Sequence, residues 1–156
     1  MMEIWRISNY EDLQGLGGLR APGRWHDRGQ PVVYLAEHPA LALLETMVHH
    51  EIGSIAGLPD GYQLLRVEAD ESVAIAMLTS DVLPVDWREN MSWTQSTGSE
   101  WLASGQSALL KVPSAILPHA SNYLLNPLHP DANRVTVAEF QRVPYDPRIV
   151  ALLSRP

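Results

Sequence analysis

The sequence predicts an α+β fold: a single domain built on a mixed β-sheet with short helices. Three observations predict it. The chain has 156 residues, enough for one domain with a sizeable core. Segments with the two-residue alternation of strands outnumber segments with helical spacing, and helices interrupt the strands irregularly. No internal repeat, low-complexity tract or linker divides the chain, so residues 1–156 read as one unit.

Each element has a local reason. Glu3 to Ser8 reads as a strand. Gly15 to Gly29, rich in Gly and Arg, reads as a loop. Val32 to Ala36 is a strand on which Tyr34 shares a face with Val32 and Ala36. A helix opens at Pro39, where proline is tolerated, and runs to Ile52, before Gly53. At about 100° per residue, Leu41, Leu44, Val48 and Ile52 form one apolar stripe with Glu45 inside it. Gly61 to Ala69 alternates as a strand, and Val73 to Leu78 is another. Pro84 to Ser92 is irregular, and Thr94 to Ser104 is a short helix turning Trp101 and Leu102 inward. Ser107 to Val112 is a strand stopped at Pro113, and Asn122 to Leu125 closes at Asn126-Pro127. Val135 to Val143 is the last strand, and Asp146-Pro147 caps a final helix through Leu153.

Composition narrows the function. A hydrophobic content of 46% with 19% charged residues is ordinary for a soluble globular protein. A net charge of −7 argues against direct nucleic-acid binding, which needs a basic surface. Lys111 is the only lysine among the 11 Lys and Arg residues, and Arg is the better residue for bidentate phosphate or carboxylate binding. The absence of cysteine excludes disulfides, thiolate metal sites and cysteine nucleophiles. Together with an opening Met1-Met2-Glu3-Ile4-Trp5-Arg6 that has no signal-peptide pattern, it fits a cytoplasmic protein. No apolar run approaches the roughly 18 residues of a membrane helix.

The chemistry candidates centre on Glu45. A carboxylate on a buried helix face is costly unless a cation or strong donors meet it, and Arg24 is a candidate partner. The segment Arg20 to Gly29 offers backbone N–H groups and guanidiniums to a diphosphate. It is neither a P-loop nor the dinucleotide Gly-x-Gly-x-x-Gly turn. Tyr34 reads either as a core aromatic or as a ring that stacks on a planar base. His49 lies four residues after Glu45, but no His-Glu-x-x-His motif is present, and His26, His119 and His129 are scattered. No metal is therefore assigned. Ser114 lacks a nucleophile elbow and reads alone as a strand-end or cap serine. Asn122 and Asn126 read as turn residues.

Taken together, these segments resemble the RES domain family, named for an Arg, a Glu and a Ser. The resemblance runs from Trp5-Arg6 through Gly23-Arg24-Trp25, Val33-Tyr34-Leu35-Ala36, and Ala42 with Glu45. It continues through Trp87, Gly98, Trp101-Leu102 and Ser107 to Ser114, and closes with Asn122 to Pro130 and Tyr145 to Arg148. It implies a toxin-type enzyme of the cytoplasm, with a fold like the ADP-ribosyltransferase toxins, that consumes NAD as substrate and needs no cofactor. By resemblance Glu45, Arg24 and Tyr34 are catalytic. Arg6, Arg24, Tyr34, Ser114 and Asn126 would bind substrate. The implied partner is a cognate helix-turn-helix antitoxin, in a complex that can be of higher order, or a homo-oligomer; no membrane or direct DNA contact is implied. The acceptor stays open between water, inorganic phosphate and a protein side chain. A non-catalytic antitoxin-binding domain is the remaining alternative.

Overall fold

The computed structural model describes residues 1–49 and 60–153. Among them seven strands form one mixed sheet: β1 (Met2–Ile7), β2 (Val33–Ala36), β3 (Gly61–Ala69), β4 (Ile75–Met77), β5 (Leu109–Pro113), β6 (Ser121–Leu125) and β7 (Val135–Pro144). The strand order is β4-β5-β6-β2-β1-β3-β7. Only β4 and β5 run parallel; the other neighbours are antiparallel. The α-helices are α1 (Gly17–Arg20), α2 (Pro39–His49), α3 (Met91–Ser104) and α4 (Pro147–Leu153).

Alternation along the strands builds two apolar layers. One gathers Ile4, Val33, Leu35, Leu65, Val67, Leu109 and Leu125. The other gathers Leu110, Val112 and Leu124 with Trp25, Trp87, Trp101 and Leu102. Each fully buried Leu or Val contributes about 1.5–3 kcal/mol relative to exposure. α3 lies on the second layer. The side chain of Asn90 caps it by accepting from the Trp93 N–H at 3.1 Å, and Gly105 ends it in the left-handed region at φ 62°. That cap starts the helix at Met91, earlier than the expected Thr94.

Two expectations need correction. The Gly15 to Gly29 loop contains the short α1. The apolar stripe of α2 is also shorter than its spacing implies. Leu41 and Ala42 are buried against Ala36, Trp5 and Ile7, but Val48 is 53% exposed. The helix packs by its first turn, and its later residues Glu45, Thr46 and His49 line a cleft instead of a core. Ile52 lies outside the described residues.

One detail of the sheet places the site. β1 forms a long ladder with β3, and β2 forms a full ladder with β6. Between β1 and β2 the ladder has one register pair, Trp5↔Ala36. Past that pair Arg6 and Ile7 do not meet Leu35 and Tyr34. The strands splay, and all four residues line a cleft instead.

Candidate active site

The cleft has a volume of about 380 Å³, within the range of small-molecule sites. Arg6, Arg24, Tyr34 and Glu45 line it together with His26 and Asn122. The splayed strands supply Arg6 and Tyr34, the turn after α1 supplies Arg24 and His26, and α2 supplies Glu45.

Glu45 is held from one side. Its Oε1 accepts from the Ser114 hydroxyl at 2.8 Å and from the Asn122 amide Nδ2 at 2.8 Å. The Ser114 hydroxyl itself accepts from the N–H groups of Ile116 and Leu117, at 3.1 and 3.2 Å. Those two donors occupy its lone pairs and leave its single proton for Glu45. Among the described residues no hydrogen bond engages Glu45 Oε2. With respect to those residues one oxygen of the carboxylate is fixed and the other is unspent. The expected Arg24–Glu45 pairing is absent. Asn122 and Ser114 supply the donors that a half-buried carboxylate requires.

Neither arginine forms an ion pair with a carboxylate among the described residues. Arg24 donates from Nη1 to the Arg88 carbonyl at 2.6 Å. Arg6 donates from Nη1 to the Asp12 carbonyl at 2.9 Å. Burial lowers the Arg6 pKa from its ordinary value, and the Asp12 charge opposes that shift. Guanidinium stays protonated regardless. Each fork spends one arm on a backbone oxygen and keeps donors for an anion.

Tyr34 has a fully engaged hydroxyl. It accepts from the Trp25 N–H at 3.0 Å and lies 2.7 Å from His26 Nδ1. Burial raises its pKa far above the ordinary phenol value, more than the Trp25 N–H and the Arg24 charge lower it. It remains a phenol in the folded protein. His26 is 3% exposed, with Nε2 3.0 Å from the Ala21 carbonyl. Burial lowers its pKa from 6.5, against the opposing effects of the Ala21 and Gly18 backbone and of Asp27. The neutral ring is therefore favoured on folding. A lowered folded value contributes stability that is complete above the unfolded value of 6.5 and is lost as the pH falls below it. Thermal unfolding at a series of pH values should show this loss in the wild type and its removal in His26→Asn. Identical pH profiles would show that His26 titrates alike in both states.

Two residues of the predicted set stand apart from the cleft wall. Ser114 is 1% exposed and reaches the site only through Glu45. Asn126 is buried elsewhere: its Nδ2 donates to the Leu102 carbonyl at 3.1 Å and its Oδ1 accepts from the Leu128 N–H at 3.1 Å. Its amide is spent on holding the chain between β6 and α3. Asn122 and His26 were not expected at the site. A readable signal existed for Asn122, which alternates with Leu124 and so shares the inward face of β6. Among the described residues no group of three or more His, Cys, Asp or Glu is arranged to hold a metal. No helix among them is long and apolar enough to cross a membrane.

The RES domain model matches residues 3–146. A protein named Toxin Res from Pseudomonas putida is 44% identical over 141 residues, covering 89% of this chain and 95% of its own. The Prs ADP-ribosylating toxin of a Sphingobium species is 41% identical over 157 residues, covering 94% of this chain and 96% of its own. Among solved structures, the M. tuberculosis MbcT–MbcA toxin–antitoxin complex has a chain with the same fold. Its TM-score is 0.72 at 18% identity, covering 97% of this chain and 87% of that one. The family model spans the strands, the turn and the helix that build the cleft, and the chain belongs to the RES domain family.

Proposed function

We propose that this protein is a toxin-type enzyme that cleaves the nicotinamide–ribose bond of NAD and depletes it, by hydrolysis or phosphorolysis. The observation that carries the reading is that, among the described residues, one carboxylate, Glu45, is held through one oxygen in a cleft that also presents Arg6 and Arg24. NAD suits that inventory. Its nicotinamide is already cationic, so when the C1′–N bond breaks the ring nitrogen takes the electron pair and leaves neutral. No general acid is needed, whereas ordinary glycoside hydrolysis uses two carboxylates. The free oxygen of Glu45 stabilises the positive charge developing on the ribose, directly or through the 2′-hydroxyl. Arg6 and Arg24 hold the diphosphate, and the Tyr34 ring stacks on nicotinamide. An oxygen of water or phosphate then bonds to C1′, and the proton that the nucleophile no longer needs passes to bulk solvent. The overall likeness is to the ADP-ribosyltransferase fold, and residues 1–156 act as one RES domain.

A second reading is ADP-ribosyl transfer to a protein. The observation that favours it is the 41% identity to a relative named for that activity. The same reading includes an antitoxin partner that covers the cleft with an acidic tail directed at the two guanidiniums. What supports a partner is the toxin–antitoxin complex whose chain shares this fold, and what suggests the tail's charge is the pair of arginines in the cleft.

Purified protein incubated with NAD, with and without phosphate, tests the reading by product identification. Free nicotinamide with ADP-ribose or its phosphate is the expected result. NAD that stays intact overturns it, and ADP-ribose retained on a protein favours the second reading. Arg24→Lys should raise KM about tenfold with a smaller fall in kcat, because Lys keeps the charge but loses the fork that reaches both the Arg88 carbonyl and an anion. If neither parameter moves, Arg24 does not hold the substrate.

A further inference from the structure

We propose that His26 is a positioning residue: through the Tyr34 hydroxyl it pins the turn that carries Arg24 onto the sheet, so that Tyr34 serves the site by its ring and not as a proton donor. The kinetic half of this proposal rests on the NAD reading above; the structural half does not.

The Ala21 carbonyl can only accept, so the His26 nitrogen facing it, Nε2, carries the hydrogen. A neutral imidazole with its hydrogen on Nε2 has an acceptor at Nδ1. The group 2.7 Å from Nδ1 is the Tyr34 hydroxyl, which must therefore donate its proton there. The same oxygen accepts from the Trp25 N–H. The hydroxyl's only proton is thus committed within the protein, and it has none to give a leaving group.

The surroundings are built for this contact. A Cβ at Gly23 would collide with the Tyr34 hydroxyl, so only glycine allows the turn to close over it. The Gly23 N–H donates to the His26 carbonyl at 3.1 Å and closes the turn Gly23-Arg24-Trp25-His26 around that one oxygen. At Gly18 a Cβ would meet the Gln30 carbonyl and approach His26 Nε2, so the opposite side of the imidazole is also packed. Arg24 is carried on the pinned turn, so its placement relative to β2 depends on the pin.

Two isosteric variants separate the pin from simple space-filling. His26→Asn puts an amide at the position of Nδ1, where its oxygen can accept from Tyr34. His26→Gln reaches the position of Nε2 and keeps the Ala21 contact but loses Tyr34. The Gln variant should lose about tenfold in kcat/KM, mainly through KM, and the Asn variant should keep clearly more. Tyr34→Phe should likewise act mainly on KM. An activity-free readout accompanies them. Nitrogen NMR should show His26 as the Nε2–H tautomer, and the Arg24 Nε–H resonance should shift in the Gln and Phe variants more than in the Asn variant.

The opposite tautomer, a Gln variant that matches or exceeds the Asn variant, or a Phe variant that loses kcat with KM unchanged would each overturn the proposal. If the wild type leaves NAD intact, the functional reading fails by itself, and the two NMR results decide the pin. Should the Gln variant not fold, the tautomer and the Phe variant still decide it.

Discussion

Glu45→Gln is expected to leave the fold intact and to lower NAD turnover by about 10²-fold or more. The structure explains why the two effects separate. The Gln carbonyl oxygen can take the place of Oε1 and accept from Ser114 and Asn122, so neither buried donor is stranded. The amide nitrogen then takes the place of Oε2, the oxygen that neither Ser114 nor Asn122 engages. Volume is kept and the charge is lost at the atom assigned to meet the developing cation. Steady-state kinetics with a circular-dichroism control checks this. Wild-type turnover in a folded Glu45→Gln protein would remove Glu45 from the mechanism.

Gly98→Ala is expected to carry the largest stability cost among these variants. Gly98 sits on α3 directly against the backbone of Trp25, and an added Cβ would overlap the Trp25 carbonyl oxygen. The helix or the turn must move. Overpacking against backbone costs about 3 kcal/mol, and the gain in helix propensity from Gly to Ala returns at most about 1. The net of about 2 kcal/mol corresponds to a fall in Tm of roughly 6 °C for a chain of this size. Because the displaced turn carries Arg24, KM for NAD should rise as well. A Tm equal to or above that of the wild type in thermal unfolding would show that α3 does not rest on Trp25.

Much of this architecture is readable locally. β3 runs from Gly61 to Ala69 as its alternation predicts, because each inward residue has a partner layer to enter. The end of α3 is readable from Gly105, whereas its start depends on a cap, Asn90, that the apolar pattern does not mark. Glu45 stands out as a charge on an apolar stripe, yet the stripe itself overstates burial, since Val48 faces solvent. Periodicity shows which residues share a face but not how far along the helix the neighbouring sheet extends. The trio Arg24, Tyr34 and Glu45 does line one cleft. What stayed hidden were the supports. Asn122 lies 77 residues from the carboxylate it holds, and His26 acquires its role only when β2 brings Tyr34 beneath the turn. Asn126 shows the opposite failure: a polar residue beside a recognisable motif whose amide is consumed by ordinary chain closure.

The single rung between β1 and β2 has a mechanical consequence. Backbone hydrogen bonds make each half of the sheet stiff, β4-β5-β6-β2 on one side and β1-β3-β7 on the other. Across the seam they contribute almost nothing. The seam is bridged instead by α2, whose Leu41 and Ala42 sit on Trp5 and Ile7 of one half and on Ala36 of the other. That splint is also the element that carries Glu45. Glu45 itself is tied by Ser114 and Asn122 to the half that carries Tyr34, so a tilt at the seam would move Arg6 against a carboxylate and a ring that stay together, and would set the cleft's width through Arg6 alone.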